Sequence, residues 1–325
     1  MKAILYQKYG SPDVLTMKEV ARPTIGDKEV LIRIHATTVT AVDCTFRSGA
    51  SFMARLFTGL FKPRNPILGT ELSGEVEAVG KDVTRFSPGD RVFASPPDGF
   101  GAHAEYISLP ADGAVATLPA NMTWQEAAAI CNGGLTALAF LRDHGKIAAG
   151  QKVLINGAAG SIGTFAVQLA RHFGAHVTGV SGPANIDLVK SLGADAVVDY
   201  TREDFAASGE TYDIIFDTVG KSSLAKSRAA LAANGVYLST VPTAALLLHM
   251  VWTSIRGGRK AIFAATGLRP PADQASDMAF LTKRIEAGEL KTVIDRTYPL
   301  ARIAEAHAYV GTGHKAGNVV VTVGP

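Results

Sequence analysis

Val153-Leu154-Ile155-Asn156-Gly157-Ala158-Ala159-Gly160-Ser161-Ile162-Gly163 is the stretch that decides how this chain folds. An apolar run suited to a buried strand passes through three glycines into a segment, residues 163–173, that reads as a helix. One glycine permits the tight turn, another lets backbone approach a ligand, and a third allows the helix to pack closely on the strand. The N–H groups at the helix start then suit a pyrophosphate. Gly157, Ala158, Gly160, Ser161, Ile162 and Gly163 are therefore the candidate phosphate cradle.

Downstream, strands and helices alternate. Residues 176–180, 196–199, 212–217 and 235–241 read as strands, and 186–192 and 222–231 as helices. This βαβ rhythm predicts an α/β fold with a doubly wound parallel sheet, covered by helices on both faces. Upstream the character is different. Residues 1–5, 29–36, 72–79 and 91–94 are short strand-like segments separated by turn signals such as Ser87-Pro88-Gly89-Asp90. The change comes at Thr123, which caps a helix over 124–130 and forms a capping box with Glu126. The last part returns to mixed character, with helices over 277–287 and 302–310 and a strand over 318–323.

Bulk properties narrow the function classes. A chain of 325 residues is long enough for two cores. Its net charge of +3 carries no basic cluster beyond the short loop 256–260, so no nucleic-acid partner is expected. The N-terminal stretch has too brief an apolar run for a signal peptide, and the longest apolar run, 241–252, is too short for a bilayer span of about 20 residues. The expectation is a cytoplasmic protein without a membrane partner. Two distant cysteines, Cys44 and Cys131, make neither a disulfide framework nor a metal knuckle and read as small buried residues.

The strand over 176–180 ends in Ser181-Gly182-Pro183-Ala184-Asn185. Folds that prefer NAD(H) place a carboxylate here for the ribose 2′-hydroxyl. None occurs before Asp187, within the next helix, so NADP(H) is expected over NAD(H), although the nearest cation is only Lys190.

Together these motifs resemble the medium-chain dehydrogenase/reductase superfamily, in its zinc-free, zeta-crystallin-like quinone oxidoreductase branch. The resemblance runs the length of the chain: Met1-Lys2-Ala3, the block from Pro66 through Gly69-Thr70-Glu71 to Val76, Gly89-Asp90-Arg91-Val92, Gly101 to Tyr106, Leu192-Gly193-Ala194-Asp195, and Gly313 to Val320. It implies a GroES-like, β-rich substrate domain from 1–122 and 265–325, a Rossmann domain over 123–264, a substrate cleft between them, and a homodimer.

It also implies roles. Thr40 and Thr70 stand where zinc-dependent members carry Cys and His ligands, so no zinc is expected. Ser181, Asn185 and Tyr200 resemble positions facing the adenosine ribose and its phosphate. Thr136, Thr240 and Val241 resemble positions near the nicotinamide, and Asn318 one that closes over the cofactor. Thr40, where many quinone reductases have Asn, and His103, a conceivable proton donor, are the catalytic candidates. Asp43 and Arg47 suit an ion pair or turn. Phe52, Phe57 and Trp252 are candidates for an apolar acceptor pocket, with Phe52, Leu56 and Leu60 at helical spacing. The expected activity is hydride transfer from NADPH to a quinone or α,β-unsaturated carbonyl. An enoyl-thioester reductase and a non-catalytic NADPH-binding structural or sensor protein are the alternatives.

Overall fold

The computed structural model describes residues 1–324; Pro325, the last residue of the expected 265–325 segment, lies outside them, as do the side chains of residues 254–256 and 268. In chain order the strands are β1 (Lys2–Leu5), β2 (Thr16–Glu19), β3 (Glu29–Val39), β4 (Leu72–Val79), β5 (Arg91–Ala94), β6 (Tyr106–Pro110), β7 (Val115–Thr117), β8 (Lys152–Asn156), β9 (His176–Ser181), β10 (Ala196–Asp199), β11 (Tyr212–Asp217), β12 (Leu231–Ser239), β13 (Lys260–Phe263), β14 (Ile294–Pro299) and β15 (Asn318–Thr322). The helices are α1 (Ala41–Ser48), α2 (Phe52–Thr58), α3 (Trp124–Ala128), α4 (Thr136–Leu138), α5 (Ser161–His172), α6 (Ile186–Ser191), α7 (Leu224–Ser227), α8 (Ala244–Arg256), α9 (Pro271–Glu286) and α10 (Ile303–Gly311). Two compact units result: Met1–Asn132 with Gly267–Ala287 and Thr292–Pro325, and Gly133–Thr266 with Gly288–Lys291.

The first unit is built on a seven-stranded sheet, ordered β14-β15-β3-β4-β5-β7 with β6 also on β3. Every pairing is antiparallel except β14 on β15. Val30, Ile32 and Ile34 alternate along β3 into a core shared with Val76, Val92, Val319 and Val321, and α10 covers it with Ile303, Ala306 and Val310. The capping box of Thr123 and Glu126 forms as expected. The helix it starts packs in this unit, where the Ser73 hydroxyl donates to the Trp124 carbonyl at 2.6 Å and the Trp124 ring stacks on His35 at 4.5 Å.

The second unit holds the six-stranded parallel sheet β10-β9-β8-β11-β12-β13. Strand order reverses between β8 and β11, which makes the carboxyl ends of those two strands the topological switch point. Gly288–Lys291 joins this unit through Gln168, whose side-chain amide exchanges hydrogen bonds of 2.9 and 3.0 Å with the backbone of Lys291. The helix expected over 222–231 is only one turn, α7, capped by Ser223. Leu231 is already paired with Tyr212 in the sheet, so strand pairing overrides the helical preference of this alanine-rich stretch. Helix α9 begins six residues before the expected start, with Pro271 at the first helical position, where a missing N–H costs nothing.

Candidate functional site

In the second unit the glycine loop has the geometry its sequence calls for. Gly157 turns at φ +83°, and a Cβ there would lie 2.6 Å from Val219 Cγ1. A Cβ on Gly163 would overlap the Gly157 carbonyl oxygen, so this glycine is what lets α5 seat against the loop. The Gly157 and Ala158 amides are tied to the Val180 carbonyl at 3.1 and 3.0 Å. Gly160 is the N-cap residue, and the first intrahelical bond runs from Thr164 N to Gly160 O. The amides of Ile162 and Gly163 precede it at the positive end of a twelve-residue helix, the arrangement that holds a pyrophosphate.

Buried Asp217, at the end of β11, organises the neighbouring loops, and the sequence reading missed it. Its carboxylate accepts from Asn156 Nδ2, from the amides of Val219, Gly220 and Ser222, and from the Tyr237 hydroxyl, at 2.8–3.2 Å. Burial, then the charge of Asp217, pushes the Tyr237 phenol well above its ordinary range, so that hydroxyl stays a donor. The Thr240 hydroxyl donates to Thr218 O at 3.1 Å, and exposed Val241 packs beside Gly220, so Thr240 and Val241 stand at the same end of the sheet as the glycine loop. Half-buried Thr136 shares a 3.2 Å hydrogen bond with Thr266.

At the end of β9, Ser181 is buried and the exposed Tyr200 places its hydroxyl over Gly182; the Tyr200 amide donates to Ser181 O at 3.3 Å. Asn185 is half-buried in the turn that follows. The nearest strand-end carboxylate, Asp199, is turned onto Thr201, accepting from its amide and hydroxyl at 2.9 and 2.7 Å; those bonds hold its pKa below the ordinary value. Exposed Arg202 lies 3.7 Å from the same carboxylate, a cation absent from the sequence reading. An open groove of about 720 Å³ lies at the opposite end of the strands, lined by Gln151, Asp213 and Lys260 among others.

In the first unit, Thr40 is the N-cap of α1. Its hydroxyl donates to Asp43 Oδ2 at 2.6 Å and accepts from the Asp43 amide at 3.2 Å, while its own amide donates to Asp43 Oδ2 at 2.8 Å. The hydroxyl proton of this catalytic candidate is thus engaged in a capping box. Asp43 also accepts from Gly69 N at 3.1 Å and forms no ion pair with Arg47, whose Nε and Nη1 are buried without hydrogen bonds. His103 is completely buried: Nε2 donates to the Thr38 carbonyl at 2.9 Å, Nδ1 has no partner, and burial lowers its pKa. A neutral ring without solvent access suits a structural role rather than proton delivery.

Glu71, also missed, is buried with Thr38 Oγ1 donating to it at 2.6 Å and Asn132 N at 2.7 Å. Burial outweighs those bonds and raises its pKa to about 7. Lys315 lies in the same interior, donating to Gly317 O at 2.6 Å, and burial lowers its pKa to about 8. The Cys44 sulfur sits 3.6 Å from His307 Nδ1, and burial pushes the thiol up to about 12, far from a nucleophile; Cys131 is buried too. Asn318 is buried at the start of β15, its Nδ2 donating to Val293 O at 3.0 Å. Phe52 and Phe57 on α2 and Trp252 on α8 are exposed, and α2 ends at Thr58, so Leu60 lies beyond the helix it was expected to share.

The positions of the expected zinc ligands hold Thr40, whose oxygen is bound to Asp43, and Thr70, a hydroxyl; neither is a zinc donor. Among the described residues no group of three or more His, Cys, Asp or Glu side chains is placed to hold a metal ion.

Comparison with known proteins agrees with this architecture. Residues 26–120 match the alcohol dehydrogenase GroES-like domain model, and 192–321 the zinc-binding dehydrogenase model. The chain is 32% identical to the chloroplastic quinone-oxidoreductase QR1 of Triphysaria versicolor, across 99% of this chain and 98% of that one. The quinone oxidoreductase of Coxiella burnetii superposes with a TM-score of 0.89 at 29% identity, over 100% of this chain and 99% of that one. The Escherichia coli quinone oxidoreductase complexed with NADPH superposes with a TM-score of 0.85 at 25% identity, over 99% and 100%. The chain belongs to the medium-chain dehydrogenase/reductase superfamily, in its quinone oxidoreductase branch.

Proposed function

We propose that this protein is a zinc-independent reductase that takes hydride from NADPH and delivers it to a quinone or an α,β-unsaturated carbonyl. The observation that carries the reading is the Thr40–Asp43 capping box: where a zinc-dependent relative needs a ligand, this chain has a hydroxyl whose proton is held by its own helix cap. Without a Lewis acid, oxidation of an alcohol is hard, whereas an acceptor that is already electrophilic needs mainly position and a hydride. Bound NADPH supplies that hydride, its pyrophosphate held by the 157–163 loop and α5. Ser181, Asn185 and Tyr200 would meet the ribose end, with exposed Arg202 beside Asp199 a candidate partner for a 2′-phosphate. The proton that completes the product comes from solvent, because His103 has no access to it.

The first unit is the substrate domain in this reading, the second the nucleotide domain, and the working form a cytoplasmic homodimer. NADPH oxidation against quinones, enones and enoyl thioesters, with and without chelator, tests the proposal. Chelator-insensitive turnover of quinones or enones is expected. Turnover of thioesters alone would make it an enoyl reductase, and binding without turnover a sensor.

A further inference from the structure

We infer that α2 and the turn after it form a docking surface for an anionic phospholipid membrane. The chain carries no carboxylate between Asp43 and Glu71, while Arg55, Lys62 and Arg64 fall within that stretch besides the buried Arg47. The same stretch holds the most exposed apolar surface of the first unit. Phe52, Phe57 and Phe61 are 68%, 60% and 93% exposed, with Met53, Leu56 and Leu60 exposed beside them. Those three rings alone present about 400 Å² of apolar surface, as much as the largest patch on an ordinary monomer.

This exposure is held in place rather than a frayed end. Ala54 and Thr58 bury the inner face of α2. The Tyr9 hydroxyl lies 2.7 Å from Thr58 Oγ1 and donates to Gly59 O at 2.5 Å, and Arg55 Nε donates to Gly49 O at 2.6 Å. A bond from Arg64 N to Thr58 O at 2.7 Å then closes a turn with Phe61 at its tip. Lys62 and Arg64 are exposed beside that tip and form no ion pair. Aromatic and aliphatic groups projecting between unpaired cations match a lipid interface, where rings enter the headgroup boundary and cations meet anionic headgroups.

No helix among the described residues is long and apolar enough to cross a membrane. The contact is therefore peripheral, and it departs from the expectation that no membrane partner exists. A further consequence, which rests on the reductase reading while the docking does not, is access to lipid-dissolved quinones.

Vesicle co-sedimentation of the full chain tests the inference, with phosphatidylcholine alone and with phosphatidylcholine mixed three to one with phosphatidylglycerol. The wild type is expected to sediment with the mixed vesicles, at least tenfold more than with the neutral ones, and to be released by salt. Each cation at such a surface is worth about fivefold, so Lys62→Glu with Arg64→Glu lowers the partition by about twentyfold or more. Phe61→Ser lowers it about tenfold, and circular dichroism confirms that both variants are folded. A wild type that stays in the supernatant, equal partition on both lipids, or variants that sediment like the wild type overturns the inference. So does either of two results in Phe61→Ser: a halved mass in light scattering with lipid partition intact, which gives the face to a second copy, or a raised KM for quinone with lipid partition intact, which gives it to the acceptor.

Discussion

Replacing Glu71 by Gln isolates the electrostatic cost of burying a carboxyl group in the first unit. The buried side chain accepts hydrogen bonds from Thr38 Oγ1 and Asn132 N, and burial still raises its pKa from 4.5 to about 7. Unfolded, it releases its proton near 4.5; folded, it holds the proton to about 7. Between those values the folded state binds more protons, so stability falls as pH rises, and above about 7 the whole penalty of about 3 kcal/mol is present. Gln keeps the shape, accepts from Asn132 N through its oxygen and donates to Thr38 through its nitrogen. Its poorer bonds cost about 1 kcal/mol at any pH. Glu71→Gln is therefore expected to be about 1 kcal/mol less stable than the wild type near pH 4.5 and about 2 kcal/mol more stable near pH 8. Urea unfolding, read by Trp124 fluorescence in a Trp252→Phe background, reports on the unit that holds Glu71, because Trp124 stacks there on His35. A difference between the two proteins that stays constant from pH 4.5 to 8, or that runs in the opposite direction, refutes the reasoning.

Thr40→Ala removes the α1 cap and is expected to cost about 2 kcal/mol of stability while leaving quinone turnover within about fivefold, with Thr40→Ser restoring the stability. Thermal unfolding beside steady-state kinetics decides, and a thousandfold loss of turnover in a well-folded Thr40→Ala would place the hydroxyl at the chemistry. Gly163→Val drives side-chain atoms into the Gly157 carbonyl and is expected to weaken NADPH binding by at least about a hundredfold. Titration calorimetry giving an unchanged Kd would mean that the loop is not the phosphate site.

Much of the site's first half is legible in the sequence because its causes are local. A glycine at positive φ, a glycine with no room for Cβ, and a helix start within the next few residues are consecutive in the chain, so the 157–163 cradle is written as a motif. The capping box of Thr123 and Glu126 is legible for the same reason. That Thr40 also caps a helix is legible only in part: Asp43 three residues later is the signal for a capping box, while the start of α1 at Ala41 is seen in the fold.

What the sequence by itself determined is therefore the alternation of strand and helix and the glycine-rich turn of 157–163 with the helix start behind it. Tertiary structure decided what depends on partners distant in the chain. Asp217 becomes the hub of three strand ends only when β8, β11 and β12 lie side by side. Glu71 is an ordinary acid until Thr38 and Asn132 close around it. Likewise His103 is an open candidate in one dimension, and becomes a buried neutral ring once Thr38 accepts its only N–H. The ends of the 222–231 segment were also settled at a distance, since a strand's hydrogen bonds come from its neighbour whereas a helix makes its own.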